Sequence, residues 1–210
     1  MGVLMSSISI IGTGNMAGVF AERALAGGNV VELVGRDQAK VAALAESVGG
    51  ATVGAAGTAP AGDIVILAVP YASAAAVVGE FGDALRDKVI VDITNPVNSD
   101  MTGFVTPYGS SGAQEIAKAA PAGAHVVKAF NTLFANVLAD GRPADVFVAG
   151  DDEQAKVRVF AFIESLGLRP MDAGPLGMAR ALENAGLLEM GLTTRSVKHT
   201  NFFLGVNLLG

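Results

Sequence analysis

The stretch SISIIGTGNMAG, from Ser7 to Gly18, constrains the fold of this chain more than any other. Apolar residues that suit a strand lead directly into a G-x-G-x-x-A pattern, and helix-like residues follow it. In such a setting Gly12 permits a tight turn, Gly14 lets the backbone approach a pyrophosphate, and Ala17 allows the helix to pack closely on the strand. The stretch therefore predicts a dinucleotide-binding loop. An ordinary turn between a strand and a helix, in which the glycines only relieve strain, is the alternative.

Strand-like and helix-like runs alternate along the rest of the chain, among them a strand predicted over KVIVDIT and a short helix predicted over NTLFANVLA. The run IVILAV, residues 64–69, is continuously apolar, which is typical of a strand that is buried on both faces. The alternation predicts an α/β fold with a Rossmann-like, doubly wound, mostly parallel sheet and a small C-terminal helical appendage. We expect that appendage to pack against the open edge of the sheet.

The composition narrows the possible classes of function. The formal net charge is −6 at pH 7, which argues against nonspecific binding to nucleic acids. The chain has no cysteine, so disulfides, thiolate catalysis and sulfur-ligated metals are excluded together. With only 2 histidines a histidine-rich metal site is not expected either, and we predict no metal.

No feature of the sequence predicts export or membrane insertion. The opening residues MGVLMS lack the positive charge of a signal peptide. The most apolar segment lies between Asp63 and Glu80 and is interrupted by Pro70. It is too short to span a bilayer comfortably, which takes about 20 residues. We therefore expect a cytoplasmic enzyme that acts on small molecules, without nucleic-acid or membrane partners.

The end of the second predicted strand bears on the choice of dinucleotide. Gly35, Arg36 and Asp37 stand there, where enzymes that use NAD usually place an acid for the ribose diol. Arg36 can instead pair with a 2′-phosphate through its planar guanidinium, and Thr13 could add a hydroxyl. Asp37 is better placed as the cap of the next helix. The pattern favours NADP; the alternative is that Arg36 is an ordinary solvated charge.

Two more strand ends, AVPY and DITNPV, are expected at the same edge of the sheet. In a doubly wound sheet the ligand lies outside the carboxyl ends of the strands. We therefore expect Val69, Pro70 and Tyr71 to wall a ribose of the dinucleotide. Asn95 and Pro96 would lie near the nicotinamide. Each proline could otherwise serve only to stiffen its loop.

Several of these stretches also occur together, in one order, in a known family. They are IGTGNMAG, the Gly35-Arg36 pair, AVPY, DITNPV, VVKAFNT, DVFVAGDD and GLRPMDAGPL. Together they resemble the F420-dependent NADP oxidoreductase family, also called NADPH:F420 reductases, over nearly the whole chain. The combination of KAFNT with DAGPL after a Rossmann start is fairly specific. The cytoplasmic domain of the membrane ferric reductases shares much of the pattern, KAFNT especially.

The resemblance implies direct hydride exchange between NADP(H) and the deazaflavin coenzyme F420, which would lie against the nicotinamide. It implies a dinucleotide-binding Rossmann domain over residues 1–170 and a small C-terminal segment, residues 171–210, that completes the groove for the second ligand. The implied contacts are Gly12, Thr13, Gly14, Asn15 and Met16 at the pyrophosphate; Arg36 at the 2′-phosphate; Val69, Pro70, Tyr71, Asn95 and Pro96 beside the NADP; Ala129, Phe130, Asn131 and Thr132 towards the ring face; and Met190, Leu192, Gly205 and Val206 in the deazaflavin groove.

The chain departs from the family pattern at two positions. Many relatives carry Ser where this chain has Gly35, so one hydroxyl is lost and the preference for NADP is expected to weaken. Some relatives carry His where this chain has Asn131. An amide can still donate a hydrogen bond to a ring carbonyl, but it does not titrate near neutrality.

Hydride transfer between two stacked rings needs alignment and exclusion of water more than acid–base help. We therefore predict no catalytic side chain, with Asn131 and Thr132 as possible ring contacts. Reduction of an imine, flavin or quinone-like acceptor is an alternative function, as is NADP binding by a non-catalytic regulatory protein. Reduction of an imine or ketone would need a proton donor. The candidate donors are Tyr71, Tyr108, His125, Lys128 and His199.

Some of these residues have other interpretations. Lys128 could be structural or could face a phosphate, and His125 suits a partly buried structural position. His199, with Arg195 and Lys198, could contact an anionic ligand or belong to a solvated helix face.

Two further segments are unusual. The loop from Asn98 to Gly112 is longer than a simple connector needs, and we predict that it borders the substrate opening. The apolar tail NFFLGVNLLG predicts a homodimer surface, because exposed apolar patches usually find partners. Alternatively, the tail completes the core.

Overall fold

The computed structural model describes residues 5–55 and 57–209, and these form one eight-stranded sheet with helices on both faces. The strands are β1 (Ser7–Ile11), β2 (Val30–Val34), β3 (Thr52–Val53), β4 (Ile64–Leu67), β5 (Val89–Asp92), β6 (His125–Lys128), β7 (Asp145–Gly150) and β8 (Arg169–Gly174). The α-helices are α1 (Asn15–Ala26), α2 (Gln38–Val48), α3 (Tyr71–Phe81), α4 (Gly112–Ala119), α5 (Ala135–Asp140), α6 (Glu153–Ser165) and α7 (Ala179–Arg195).

The strand order is β3-β2-β1-β4-β5-β6-β7-β8. Strand β1 pairs in parallel with β2 on one side and with β4 on the other, so the connections wind outwards from a switch point between β1 and β4. Among the strand pairs of this sheet, the β6–β7 pair is antiparallel, and β8 runs parallel to β7. This arrangement confirms the predicted Rossmann-like, mostly parallel sheet.

Two apolar cores flank the sheet. Ile64 and Ile66 of β4 face the core that α1 and α6 cover, whereas Val65 and Leu67 face the core that α3 and α4 cover. All four side chains are at most 1% exposed. The prediction that this strand is buried on both faces is therefore confirmed.

Local side-chain bonds set where the helices begin. The carboxylate of Asp37 accepts the N–H of Lys40 at 3.2 Å, which confirms Asp37 as the cap of α2. Ser111 and Gln114 form a reciprocal capping box at the start of α4. Each cap satisfies an N–H group that the helix cannot pair internally.

Two predicted boundaries are wrong. The helix expected over NTLFANVLA begins only at Ala135, because Phe130 takes a left-handed backbone conformation with φ 62° and a turn follows it. The strand expected over KVIVDIT ends at Asp92. There the Asp92 carboxylate accepts hydrogen bonds from both the N–H and the hydroxyl of Thr94, which turns the chain out of the sheet.

The C-terminal tail, residues 196–209, has no regular structure, but side chains hold it in place. Arg142 donates a hydrogen bond to the side chain of Asn201 at 3.1 Å. The N–H of Val206 donates to the Asp145 carboxylate, and the carbonyl of Val206 accepts a bond from Arg169. The Arg169 guanidinium also holds the pKa of Asp145 below its ordinary value. The tail thus docks at the starts of β7 and β8.

No helix within residues 5–55 and 57–209 combines the length and the apolar character that crossing a bilayer requires.

Replacing Phe130 by Ala is expected to lower the free energy of unfolding by about 3–5 kcal/mol, because its ring is a buried anchor of one core. The ring centroid lies 4.9 Å from that of Phe20 and 6.1 Å from that of Phe162, and the residue is 1% exposed. Urea denaturation measures the loss. Phe203→Ala, at a residue that is 39% exposed, is the matched control and should cost less than about 1 kcal/mol. Equal losses in the two variants would contradict this account of the core.

Candidate functional site

The loops that follow β1, β2, β4, β5 and β6 lie side by side at the carboxyl edge of the sheet. Hydrogen bonds extend the strand pairing into these loops. The N–H of Gly12 donates to the carbonyl of Val34 at 2.9 Å, and the N–H of Ala68 donates to the carbonyl of Ile11 at 2.9 Å. The predicted ligand-binding edge is therefore built from rigidly held strand ends.

The glycine loop has the geometry of an open cradle. Gly12 has φ 136°, and a Cβ there would lie 2.2 Å from the carbonyl oxygen of Ala68, so only glycine fits. Gly14 is different, because a Cβ there would meet no atom within 4 Å. Gly14 is also the N-cap of α1 and provides no side-chain cap, so the first N–H groups of the helix have no side-chain partner. A helix N-terminus of this kind favours a phosphate group.

The loop after β2 places Arg36 at the surface. Its side chain forms no hydrogen bond or ion pair with any residue in the described part of the chain. A Cβ at Gly35 would lie 2.9 Å from Val41 and 3.3 Å from Thr13, so those two side chains occupy the space that a serine would need. Thr13 of the glycine loop therefore lies against the segment that carries Arg36, and its role at a 2′-phosphate stays a prediction.

Tyr71 lies at the start of α3 and packs against the start of α4. A Cβ at Gly112 would lie 3.0 Å from its ring. Burial raises the pKa of the Tyr71 hydroxyl, and the carboxylates of Glu115 and Glu183 raise it further. The roles predicted for Val69, Pro70 and Tyr71 beside a ribose stay predictions.

A buried ion cluster lies beneath these loops. The ammonium of Lys128 is 2.8 Å from the Asp92 carboxylate and 3.0 Å from that of Glu183, and all three side chains are 0% exposed. Lys128 also donates to the carbonyl of Thr94. Because Lys128 has no access to solvent, it cannot face a phosphate. The geometry therefore supports a structural role for Lys128.

The ion cluster joins four elements of the fold. Asp92 ends β5, Lys128 ends β6, and Glu183 lies on α7. The Glu183 carboxylate also accepts the N–H groups of Gly112 and Ala113, at 3.1 and 3.3 Å, and so caps the start of α4. The cluster therefore fixes α7 above the loops that follow β5 and β6.

Asn95 and Asn131 are brought together under α7. The side-chain NH2 of Asn95 donates to the backbone carbonyl of Asn131 at 2.8 Å. The side-chain NH2 of Asn131 donates to the Asn95 side chain at 2.9 Å and to the carbonyl of Leu182 at 2.8 Å. A Cβ at Gly186 would lie 2.6 Å from the Asn95 oxygen, so α7 can approach only because this residue is glycine.

A cavity of about 240 Å³ opens beside this amide pair, between the glycine loop and α7. Met16, Asn95, Asn131 and Met190, which were predicted as contacts, all line it. Ala129 and Thr132 are buried nearby, but neither is in the cavity wall. The wall combines apolar and polar side chains, chiefly Met16, Phe130, Phe134, Asn95, Asn131 and Glu189.

Three predicted groove residues do not line this cavity. Leu192 lies two residues beyond Met190 on α7, on a different side of the helix. Gly205 and Val206 pack against Asp145 instead, because the tail follows the amino ends of β7 and β8. This cavity is thus lined by α7 and not by these tail residues.

Glu189 is the ionisable residue among the described residues of the cavity wall, and the sequence pattern did not indicate it. It is 2% exposed, and its carboxylate accepts the N–H of Leu204 at 3.2 Å. Burial raises the pKa of Glu189 to about 7. The spacing of Glu183, Gly186 and Glu189 along α7 could have shown that all three share the face that packs inwards.

The other candidate proton donors lie away from the cavity. Tyr108 is fully exposed, and His199 lies in the tail near Phe202. His125 begins β6 at the opposite edge of the sheet, with Nδ1 3.6 Å from the carboxylate of Asp152. A second cavity, of about 370 Å³, adjoins that pair. No group of three or more His, Cys, Asp or Glu in the described ranges could hold a metal.

The long loop before α4 docks on α7. The guanidinium of Arg180 lies 5.7 Å from the centre of the Phe104 ring and donates to the carbonyl of Ser110. A role for this loop at the substrate opening stays a prediction.

The fold and the glycine loop are those of a dinucleotide-linked oxidoreductase, and comparisons with known proteins make the class more specific. A model of the family described as NADP oxidoreductase, coenzyme F420-dependent, matches residues 7–96. The F420-dependent NADP reductase of Methanothermobacter thermautotrophicus is 31% identical over 180 residues, covering 81% of this chain and 74% of that protein. The chain therefore belongs to the F420-dependent NADP oxidoreductase family and is an NADP-linked enzyme.

Two further known proteins are similar to this chain. The rat (Rattus norvegicus) metalloreductase STEAP3 is 30% identical over 180 residues, which cover 84% of this chain and 35% of that protein. A crystal structure from Arthrobacter sp. FB24, assigned as an F420-dependent NADP reductase, superposes with a TM-score of 0.84 at 25% identity. It covers 96% of this chain and 99% of its own. Both resemblances noted in the sequence are confirmed.

Replacing Lys128 by Met is expected to lower the free energy of unfolding by about 3–5 kcal/mol, because Asp92 and Glu183 are then buried without a cation. Urea denaturation at neutral pH measures the loss. Lys40→Met removes an ammonium whose side chain is 72% exposed and should cost less than about 1 kcal/mol. Adding Glu183→Gln to the Lys128→Met variant should recover part of the loss. A Lys128→Met protein as stable as the Lys40→Met control would contradict the assigned role of the cluster.

Stability is expected to depend on pH through Glu189. Its pKa is 4.5 in an unperturbed chain and about 7 in the folded protein. Between these values the folded protein holds a proton that the unfolded chain has released, so the free energy of unfolding falls as pH rises. Glu189→Gln should abolish this fall. The difference in free energy of unfolding between the variant and the unsubstituted protein should therefore increase, in favour of the variant, by up to about 3 kcal/mol between pH 5 and pH 8. Thermal unfolding at both pH values tests this. Glu46→Gln, on the exposed side of α2, should show no such gain.

Proposed function

We propose that this enzyme transfers a hydride between NADP(H) and the deazaflavin coenzyme F420. The observation that carries the proposal is that the cradle and the cavity adjoin. Met16 belongs to the first turn of α1, which begins the phosphate cradle, and it also lines the cavity under α7. A dinucleotide held at the cradle would therefore have its reactive end beside the partly open cavity under α7, which could receive a second ring.

The residues of the cradle fit a dinucleotide. The empty space at Gly14 and the unpartnered start of α1 suit a pyrophosphate, which Gly12, Thr13, Gly14, Asn15 and Met16 would hold. Arg36, which has no partner in residues 5–55 and 57–209, suits the 2′-phosphate. Val69, Pro70, Tyr71, Asn95 and Pro96 would flank the bound NADP, and the segment around Ala129 and Asn131 would face its ring.

In this proposal, bound NADPH would supply a hydride that the deazaflavin ring of F420 would accept. In this proposal the chain would align the two rings and keep water away from them. The amide pair of Asn95 and Asn131 forms a fixed polar floor, and Phe130 and Phe134 keep the space apolar. The proton that accompanies the hydride can come from solvent, so the reaction does not require a side-chain donor. Within residues 5–55 and 57–209, the cavity wall has no His, Lys, Tyr or Ser.

We also propose that residues 171–210 act as the segment that completes the site. Three of its residues, Gly186, Glu189 and Met190, line the cavity, and Glu189 binds the backbone of the tail through Leu204. Residues 1–170 would then serve mainly as the dinucleotide-binding domain.

A second candidate function is NADPH-dependent reduction of another small molecule, such as an imine, a flavin or a quinone-like acceptor. Glu189 favours it, because a carboxyl group with a pKa of about 7 in the cavity wall can hold the proton that imine reduction needs. Membership in an enzyme family argues against the non-catalytic regulatory interpretation.

The decisive experiment mixes the protein with NADPH and oxidised F420 and follows the visible absorption band of F420. Loss of the band supports hydride transfer to F420. A stable band, with NADPH consumption in the presence of an imine or a flavin, supports the second candidate function. Gly14→Ala is the matched control, because the added methyl group meets nothing in the folded chain yet would occupy the proposed pyrophosphate space. It should leave the unfolding temperature unchanged and abolish turnover.

Replacing Arg36 by Ala is expected to weaken the binding of NADPH far more than that of NADH. Loss of a charge-assisted hydrogen bond is worth about 1.5–3 kcal/mol, or roughly tenfold to a hundredfold in affinity. Titration of each dinucleotide, followed by nicotinamide fluorescence, measures the difference. Equal weakening of both dinucleotides would defeat the assignment of Arg36 to the 2′-phosphate.

We propose in addition that the enzyme is a homodimer that pairs through α7 and the tail. Leu188 is 55% exposed, Phe203 39%, Leu208 82% and Leu209 96%. Apolar side chains exposed together in this way suit a partner surface. Sedimentation of the full chain gives the oligomeric state directly.

A further inference from the structure

The polar end of the cavity under α7, formed by Glu189 and Asn131, contains hydrogen-bond acceptors that lack donors. Glu189 is the first of these residues. One carboxylate oxygen, Oε1, accepts the N–H of Leu204 at 3.2 Å. The other, Oε2, has no donor within residues 5–55 and 57–209, and no Lys, Arg or His is in the described cavity wall. The tail thus fixes the carboxyl group through one oxygen and leaves the second unused.

Asn131 is the second residue with an unused acceptor. Both hydrogens of its side-chain NH2 are engaged, one by Asn95 and one by the carbonyl of Leu182. Its Oδ1 is buried and has no donor in the part of the chain that the structure describes. The residue is 6% exposed and lines the same cavity as Glu189. The NH2 of the neighbouring Asn95 is also engaged, because it donates to the Asn131 backbone.

A buried acceptor without a donor is unfavourable, so such an arrangement favours a ligand that brings the donor with it. Flat rings that enter apolar cavities can present an N–H group at one edge, either as a ring imide or as a carboxamide. Such a ring would place its apolar faces against Phe130 and Phe134 and its N–H edge against the polar end. An analogue that lacks the N–H would leave the acceptors unpaired and would bind less well.

We propose that Glu189 is a specificity-determining residue of this cavity, where its unused carboxylate oxygen accepts a hydrogen bond from the N–H edge of a planar ring. The inference rests on the proposed function in one respect, since it takes the cavity as the site of a ring that takes part in hydride transfer. The proposed hydride transfer and this role of Glu189 can fail separately, because the role of Glu189 is tested by ligand binding and not by turnover.

The experiment compares ligand pairs that differ only in the N–H group. The first pair is lumiflavin and lumiflavin methylated at its imide nitrogen. The second pair is NADP and its acetylpyridine analogue, in which a methyl ketone replaces the carboxamide. Calorimetric titration at pH 8 gives the affinity ratio within each pair. The unsubstituted protein is expected to prefer the N–H ligand by about tenfold or more in at least one pair, as the loss of one buried hydrogen bond predicts.

Glu189→Gln separates direct recognition from an effect through the tail. Its amide oxygen can still accept the N–H of Leu204, but an NH2 group then takes the place of the unused oxygen. We expect the preference to fall below about threefold, while hydrogen exchange at the Leu204 amide stays as slow as in the unsubstituted protein. Glu46→Gln makes the same chemical change on the exposed surface and should leave both measurements unchanged.

The outcomes are distinct. Loss of the preference in the flavin pair assigns the ring imide as the partner of Glu189, and loss in the dinucleotide pair assigns the carboxamide. A preference that survives Glu189→Gln overturns the proposal, as does the absence of any preference in both pairs with the unsubstituted protein. If F420 is not reduced but the preference depends on Glu189, the proposed reaction fails and this inference stands.

Discussion

The rest of the site depends on one buried ammonium group. Lys128 is held between Asp92 and Glu183, and these three side chains connect the ends of β5 and β6 to α7 and to the start of α4. Three charges of this kind are tolerated in an apolar interior only when each has close partners. The helix α7 is therefore kept over the sheet edge, and the cavity wall that it supplies follows from that placement.

Most of the fold could be predicted from local pattern. The apolar run of β4 indicated a strand buried on both faces, and the glycine loop indicated the turn from β1 into α1. Both could be predicted because each signal is contained within a few consecutive residues. Asp37 could be predicted as a cap for the same reason. The rule that ligands lie at the carboxyl ends of parallel strands placed Asn95 at the ligand-binding edge. Asn131 was expected there only from the resemblance to a known family, and the structure pairs the two residues although 36 residues separate them.

The rest could not be predicted, because it depends on contacts between distant parts of the chain. Nothing near Lys128 indicates that its second partner is Glu183, and nothing near Glu189 indicates that the backbone of Leu204 reaches it. The tail was expected at the second ligand, yet Val206 pairs with Asp145 and lies elsewhere. A side chain in an unusual backbone conformation, such as Phe130, also escapes prediction, because packing in the finished core is what sustains it.

The close approach of α7 at Gly186 has a consequence for how such enzymes diversify. The glycine loop and Arg36 lie in the first portion of the chain, and the family model matches that portion, residues 7–96. Most of the cavity wall comes from Phe130 onwards. Substitutions on the inward face of α7 can thus change the size of the cavity without changing the glycine loop. An ancestral protein with this fold could therefore change the small molecule that its cavity accepts through substitutions in its second half, while its glycine loop stays the same.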